Sequence, residues 1–224
     1  MSPTSEWERF AAQDPLFYID PALGTGASVE EFIAAGEPLV AWAMEWAGDL
    51  PAHDRALEIG CGVGRNTVHF GRRFSHVDGV DVSPTMVQLA REHDPPANVS
   101  FHVTSGSDLA TFEDRTFDLV FSHLVFQHIP DEATIASYLR EIARVLAPGG
   151  CAILQFDTRA LGIGARVARL APDALLPASR RRHIRRYPRS PEAVRGWARA
   201  ARLTIEDEQE PGGADHFLRL RRPR

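Results

Sequence analysis

Three alternating glycines near residue 60 are the part of this sequence whose residue types and spacing could do chemistry most directly. They follow an apolar stretch, in the order Leu57-Glu58-Ile59-Gly60-Cys61-Gly62-Val63-Gly64. A ligand that lies against bare backbone at the end of a strand needs residues without a Cβ, because a Cβ would block its approach or forbid the tight turn. A helix expected over residues 65–74 would direct its N-terminal N–H groups at a carboxylate or phosphate. The pattern predicts a strand, loop and helix that hold a nucleoside-bearing ligand with an anionic tail.

The spacing of these glycines excludes one common class of ligand. The dinucleotide fingerprint is G-x-G-x-x-G. The sequence instead has Arg65 at the third position when the count starts at Gly60, and Thr67 when it starts at Gly62. Neither frame fits a nicotinamide dinucleotide.

An acid closes the next predicted strand. Asp81 ends the segment Val77–Asp81, and Ser83 and Pro84 then suit the N-cap and first position of a helix. A carboxylate about 20 residues after the loop can accept hydrogen bonds from both hydroxyls of a ribose, each worth roughly 1.5–3 kcal/mol. An isolated acid at a strand end would simply be solvated, but the preceding loop favours ribose binding.

Together these segments resemble a known family. The pattern Glu58-x-Gly60-x-Gly62-x-Gly64 resembles motif I of the class I S-adenosylmethionine-dependent methyltransferases. The strand and loop of residues 117–130 resemble motif IV of that family, and the helix and Pro-Gly-Gly turn of residues 138–150 resemble the segment before its fifth strand. The resemblance implies an enzyme of the small-molecule type that uses S-adenosyl-L-methionine and releases S-adenosyl-L-homocysteine.

The resemblance also implies the fold class: an α/β, doubly wound, Rossmann-like sheet of seven mostly parallel strands with an antiparallel final strand, plus an N-terminal helical lid. Segments Leu203–Glu208 and Asp215–Leu220 are predicted as the antiparallel pair that ends the sheet. We expect residues 1–50 to form the lid and residues 51–224 the methyltransferase domain, with a basic helical insertion near residues 159–189. In the lid, Trp7 and Tyr18 either cover the cofactor and acceptor or pack in the core.

The resemblance assigns the cofactor to the carboxyl ends of the first strands. The turn Ser105-Gly106-Ser107-Asp108 would read the adenine edge. The family places an acid where this chain has Ser105, so the contact with the amino group would come from Asp108 or from a serine hydroxyl. The predicted cofactor-binding residues are Glu58, Gly60, Cys61, Gly62, Gly64, Asp81, Val82, Met86, Gly106, Ser107, Asp108 and Ser122.

Polar residues after the fourth predicted strand are candidates for the acceptor side. His128, and after it His123, are the predicted general bases, because imidazole titrates near neutral pH and can take a proton from a weakly nucleophilic hydroxyl. An amine or carboxylate acceptor would need no base. His128 has an alternative role, since a histidine beside Ile129-Pro130 can instead cap a helix or bond backbone. The residues predicted to bind the acceptor are Tyr18, Gln127 and Arg186.

Charge is divided unevenly along the chain. The net charge is −5, yet residues 1–157 carry 23 acids and 9 Arg, whereas residues 158–224 carry 7 acids and 16 Arg. The basic part centres on residues 179–189. Such a run is either a solvated face that pairs with the acidic part or a site for an acidic acceptor. Nucleic acid is a less favoured partner. The rest of the domain is acidic, and the few aromatic residues beside the basic run offer no platform on which bases could stack.

Composition sets the remaining expectations. No run approaches about 18 apolar residues, and the N-terminus lacks a basic region followed by an apolar one, so a cytoplasmic protein without a membrane span is predicted. Cys61 and Cys151 have no metal-type spacing and are expected to be reduced structural thiols, with no metal bound. The expected function is methyl transfer to oxygen or nitrogen of a small molecule, in specialised metabolism or saccharide modification. The alternatives are methylation of RNA or protein, and a cofactor-binding partner subunit without activity.

Overall fold

The structure, a computed structural model, describes Glu8, residues 28–160, Gly162 and residues 186–224. Most of the predicted lid, including Trp7 and Tyr18, lies outside the described residues. The same holds for most of the predicted basic insertion.

The described residues form one sheet of seven strands in the order β3-β2-β1-β4-β5-β7-β6. Neighbouring strands among β1 to β5 pair in parallel, and β7 is antiparallel to both β5 and β6. The predicted fold class, with its antiparallel final strand, is confirmed. The strands are β1 (Arg55–Ile59), β2 (His76–Asp81), β3 (Val99–Val103), β4 (Phe117–Ser122), β5 (Leu146–Phe156), β6 (Thr204–Gln209) and β7 (His216–Arg221).

Helices cover the sheet on both faces, and their starts follow the capping chemistry of the sequence. Ser83 and Ser190 are N-caps, since their hydroxyls accept from the backbone N–H groups of Met86 and Ala193, each at 3.1 Å. Pro84 and Pro191 then occupy the first helical positions. The helices are α1 (Val29–Ala34), α2 (Glu37–Ala47), α3 (Thr67–Phe70), α4 (Pro84–Glu92), α5 (Glu132–Val145) and α6 (Pro191–Ala200), with a 3-10 helix at Phe126–His128.

The two faces of the sheet carry two hydrophobic clusters. Leu57 and Ile59 of β1 pack in the cluster that includes α5 and α6, whereas Ala56 lies in the cluster on the opposite face with α2. This alternation follows from the two-residue period of a strand, and burial on both faces explains why three of the five residues of β1 and four of the six of β4 are apolar. The strand order reverses between β1 and β4, which is where open α/β sheets bind ligands.

Two elements differ from their predicted bounds. The helix after the glycine loop, α3, spans four residues rather than residues 65–74, because the backbone from Cys61 to Asn66 first winds through turns with left-handed glycines. A helix this short offers little dipole to an anion. Strand β5 begins at Leu146 rather than Cys151, since the Pro-Gly-Gly segment joins the strand through a register shift against β4.

The aromatic pair Trp42 and Trp46 packs α2 against the edge of the sheet formed by β7 and β6. Their rings stack with centroids 5.1 Å apart, and Trp42 meets Phe217 of β7 at 4.8 Å. The Trp46 indole N–H donates to Asp207 Oδ2 at 3.0 Å. These residues serve packing. In the described part of the chain, no helix combines the length and the apolar character that crossing a membrane requires.

Candidate functional site

The glycine loop after β1 has a backbone conformation and close contacts that residues with a Cβ would not tolerate. Gly60, Gly62 and Gly64 have φ angles of 73°, 53° and 90°, in the left-handed region that glycine adopts freely. A Cβ on Gly60 would lie 2.1 Å from Cγ2 of Val125, and one on Gly64 would lie 2.7 Å from the Phe101 ring. Without side chains at these positions the loop packs closely against Val125, which follows β4, and against Phe101 of β3.

Asp81 joins the glycine loop to the loop after β2. Its Oδ2 accepts from the Gly62 backbone N–H at 3.0 Å, and its Oδ1 accepts from that of Ser83 at 2.9 Å. Burial raises the pKa of the Asp81 carboxyl, while the N–H groups of Ser83 and Gly62 oppose that rise. Each carboxylate oxygen has more than one acceptor site, so both oxygens retain capacity for the two hydroxyls of a ribose.

Glu58 lies beneath the loop, at 2% exposure. Its carboxylate oxygens accept from Asn66 Nδ2 at 2.8 Å and from Thr67 Oγ1 at 2.5 Å, and burial raises the pKa of Glu58 to about 7. The structure therefore gives Glu58 the role of tying β1 to the start of α3. Its predicted contact with a cofactor remains a prediction.

The raised pKa of Glu58 predicts a pH dependence of stability. Because the folded chain holds this proton more tightly than the unfolded one, the contribution is fully present below the ordinary value of 4.5 and is lost as pH rises to about 7. The loss amounts to about 3 kcal/mol. Urea unfolding across this window should show that Glu58→Gln gains stability relative to the native chain as pH rises.

Glu141 provides the control for that experiment, because the Arg144 guanidinium lowers its pKa instead. Glu141→Gln should therefore lose stability relative to the native chain only as pH rises toward the ordinary value of 4.5, and the difference should stay nearly level from there to about pH 7, where Glu58→Gln still changes. Parallel curves for the native chain and Glu58→Gln would contradict the assignment to Glu58.

The turn after β3 lies against the loop after β2. Asp108 accepts from the hydroxyls of Ser105 at 2.7 Å and Ser107 at 3.2 Å, and these bonds, Ser105 first, hold the pKa of its carboxyl below the usual range. Gly106 has a φ of 83°, and a Cβ there would lie 2.8 Å from Cγ1 of Val82. The predicted adenine turn and ribose loop are thus in contact, with an ionised carboxylate available to an amino group.

Three other predicted cofactor residues are buried. Met86 packs with Phe32 and Val63. The Ser122 hydroxyl donates to the Ile59 carbonyl at 3.0 Å and so ties the ends of β4 and β1 together. Cys61 and Cys151 are free and buried, and burial raises the pKa of both thiols. For Met86, Ser122 and Cys61, direct contact with a cofactor stays a prediction.

The predicted acceptor-side residues gather after β4, except Tyr18, which lies outside the described residues. The His123 ring stacks on Phe217 with centroids 5.6 Å apart. His128 ends the 3-10 helix, and its Nε2 lies 3.1 Å from Nε2 of the buried Gln127. Arg186 is adjacent to Tyr187, whose backbone N–H donates to the Gln127 carbonyl at 2.6 Å. The structure therefore brings His128, Gln127 and the return of the basic segment together.

Arg189 also anchors the chain that follows residue 186 to these loops. Its guanidinium donates to the carbonyls of Ile129 at 3.1 Å and Pro130 at 2.7 Å, and its backbone N–H donates to the Asp157 carbonyl at 2.9 Å. The segment after residue 186 is thus attached to the loops at the carboxyl ends of both β4 and β5.

Sequence reasoning missed two residues at this edge. Glu8 accepts from the Ser83 hydroxyl at 2.5 Å and from the Thr85 hydroxyl at 2.7 Å, so the N-terminal segment reaches the loop that carries Asp81. No local pattern marks such a contact, because its partners are 75 residues or more apart. Gln155 is a fully buried amide near the end of β5. A polar residue closing an apolar strand was a signal that could have revealed it.

Comparisons with known proteins concern this same part of the chain. Residues 57–154 match the sequence model of a family described as "Methyltransferase domain". Over 162 residues the chain is 33% identical to a ubiquinone biosynthesis O-methyltransferase of Xanthomonas oryzae, covering 68% of this chain and 64% of that protein. It is 30% identical over 128 residues to a 2-methyl-6-phytyl-1,4-hydroquinone methyltransferase of Synechocystis, covering 56% of this chain and 39% of that protein.

Solved structures include a similar fold with ligands. Phosphoethanolamine N-methyltransferase 2 of Haemonchus contortus, in complex with phosphomonomethylethanolamine and S-adenosylhomocysteine, matches with a TM-score of 0.73 at 19% identity. The match covers 100% of this chain and 61% of that chain. At this identity the likeness shows the fold. The chain spans less than two thirds of the length of each of these three proteins.

Proposed function

We propose that this chain, which belongs to the class I S-adenosylmethionine-dependent methyltransferases, methylates an oxygen or nitrogen atom of a small molecule. One observation carries the proposal. The Asp81 carboxylate accepts the Gly62 and Ser83 N–H groups at the carboxyl ends of β1 and β2, so a diol-binding acid stands beside a loop of bare backbone. That combination suits a nucleoside and lies at the reversal of strand order.

The residues present fit the family's cofactor. The glycine loop brings backbone to the carboxyl end of β1 beside Asp81, Asp81 can accept from the ribose hydroxyls, and Asp108 can accept from the adenine amino group. When bound, S-adenosylmethionine supplies a methyl group already activated on a sulfonium. The protein has to bind it, exclude water and hold the acceptor in line.

The acceptor side supports a small molecule. The relatives named after quinone and hydroquinone substrates are small-molecule methyltransferases, which favours a hydroxyl on an organic ring for this chain, within specialised metabolism or saccharide modification. We propose that Arg186 and the neighbouring basic segment attract an acidic group of that acceptor. We also propose that the N-terminal region, residues 1–50, covers the site through the part that precedes α2, since Glu8 lies on the loop beside Asp81, whereas α2 itself packs against the sheet.

A hydroxyl acceptor needs a group to receive its proton, and His128 and His123 are our two candidates. Both follow β4, whose carboxyl end borders the site. If His128 is the base, His128→Ala should lower kcat for a hydroxyl acceptor by about 100-fold or more while cofactor affinity stays unchanged. His123→Ala tests the second candidate on the same loop in the same assay. Unchanged turnover in both variants at saturating cofactor would exclude both histidines as the base.

The proposed function is tested by release of S-adenosylhomocysteine, measured chromatographically, with a panel of phenols, hydroquinones, sugars and amines. We expect release with one acceptor class, accompanied by a methylated product of matching mass. Cofactor binding without release for every class would instead support a partner subunit without activity. Release only with RNA or protein would move the acceptor to a macromolecule, and steep salt dependence of binding would accompany RNA.

A further inference from the structure

Gln155 holds an unusual backbone turn at the acceptor edge of the site. Leu124 lies two residues after the end of β4. Its φ is 60°, in the left-handed region that residues other than glycine rarely adopt. Its backbone N–H donates to Gln155 Oε1 at 2.9 Å. Gln155 Nε2 donates to the Ala214 carbonyl at 2.7 Å. Because one partner can only donate and the other can only accept, the orientation of the Gln155 amide is fixed.

The fixed orientation of the Gln155 amide determines that of the Gln127 amide, which in turn contacts His128. Gln155 Nε2 also faces Gln127 Oε1, at 3.4 Å, so the Gln127 amide turns its nitrogen away from Gln155. Gln127 Nε2 lies 3.1 Å from Nε2 of His128. An amide NH₂ group can only donate. His128 Nε2 must therefore accept, and the proton of the neutral ring belongs on Nδ1.

We propose that Gln155 is a positioning residue that acts through Gln127 to hold neutral His128 in its Nδ1–H tautomer. The inference rests on the proposed function only in giving His128 an acceptor-side role. The lone pair on Nε2 is committed to Gln127, and a proton placed there would meet an NH₂ group. His128 can receive a proton on Nε2 only after the Gln127 amide reverses and gives up its bond with Gln155.

The burial of the pair makes this arrangement durable. Gln155 is 0% exposed and Gln127 is 1% exposed, so water does not compete for the amide groups. Two of the Gln155 partners are backbone groups of the β4 loop and of the segment before β7. Reversal of Gln127 would place two NH₂ groups opposite each other, a contact with no acceptor between them. The glutamines thus favour the Nδ1–H tautomer of the neutral His128 ring before any acceptor binds.

The tautomer is measured by multiple-bond ¹H–¹⁵N NMR of the full chain with ¹⁵N-labelled histidine, His128 being assigned by its absence in His128→Ala. In the native chain we expect the Nδ1–H pattern for His128. Gln127→Glu replaces the donor with an acceptor of the same shape, so the pattern should reverse to a protonated Nε2. Gln155→Leu should lose the single pattern and give a mixture of tautomers.

Three results would overturn the proposal: an Nε2–H pattern for His128 in the native chain, no change in Gln127→Glu, or an unchanged single Nδ1–H pattern in folded Gln155→Leu. If Gln155→Leu fails to fold, Gln155→Glu tests the same residue, because it keeps an acceptor for the Leu124 N–H and removes the donor that faces Gln127 Oε1; retention of the single Nδ1–H pattern in that variant would also overturn the proposal. The NMR readout needs neither cofactor nor turnover. Absence of methyl transfer would therefore defeat the proposed function while leaving the tautomer result to stand or fall separately.

Discussion

Asp81→Ala should weaken binding of S-adenosylhomocysteine about 100-fold or more, because losing two charge-assisted hydrogen bonds of at least roughly 1.5 kcal/mol each corresponds to about two decades of affinity. The variant loses the acceptor for the ribose hydroxyls. It also releases the N–H groups of Gly62 and Ser83, which the carboxylate holds at 3.0 and 2.9 Å. Calorimetric titration measures the loss of affinity. Asp81→Asn keeps one acceptor oxygen, so its affinity should lie between those of the native chain and Asp81→Ala.

Asp118 offers a matched control on the same sheet. Its carboxylate accepts from the backbone N–H groups of Asp54 at 2.9 Å and Arg55 at 3.1 Å, at the amino end of β1. Asp118→Ala removes two similar bonds far along the strand from the glycine loop, so it should lower stability and leave cofactor affinity intact. Equal loss of affinity in both variants, or full affinity in Asp81→Ala, would contradict the ribose assignment.

Gly60→Ala should destabilise the fold by roughly 2–5 kcal/mol, the sum of a left-handed backbone cost and an overpacking cost. The added Cβ would lie 2.1 Å from Cγ2 of Val125 and 3.2 Å from its Cβ, so no rotation of the valine relieves the contact fully. Cofactor binding should fall as well, since the loop must move. Urea unfolding measures the first effect and calorimetry the second.

Gly48→Ala separates the two costs. Gly48 has a φ of 64° and a ψ of −144°, which also favour glycine, but its Cβ would meet nothing within 4 Å, so this variant should lose only a backbone cost of about 1–3 kcal/mol. The double variant Gly60→Ala with Val125→Ala should recover part of the loss, because the clash is gone and the backbone cost remains. A Gly60→Ala variant no less stable than Gly48→Ala would show that Val125 does not constrain the loop.

Local chemistry made much of this fold predictable. The caps Ser83 and Ser190, the acid at the end of β2 and the glycine loop are all written in neighbouring residues, and each lies where the sequence predicts it. The family prediction drawn from these motifs is confirmed. The mostly parallel seven-stranded sheet with its antiparallel final strand is confirmed as well, because right-handed crossovers leave few ways to arrange alternating strands and helices.

Long-range polar contacts were beyond the sequence. Glu58 reads as a cofactor residue in the motif, yet its carboxylate binds Asn66 and Thr67 beneath the loop. Gln127 reads as an acceptor contact, yet its amide lies between Gln155 and His128. Such roles depend on which side chains meet in the folded core, and no spacing along the chain encodes that. The length of α3 was overestimated, because the local sequence pattern does not reveal the turns that the glycines form before the helix begins.

The destination of the methyl group tests the central claim most directly. The chain would be incubated with S-adenosylmethionine labelled on its methyl group and with cell extract separated into small-molecule, RNA and protein fractions. We predict that label enters the small-molecule fraction with the native chain and with Asp118→Ala, and that Asp81→Ala abolishes this transfer at the same cofactor concentration. Label found only in RNA or protein, or transfer undiminished in Asp81→Ala, would contradict a small-molecule methyltransferase whose cofactor is held by Asp81.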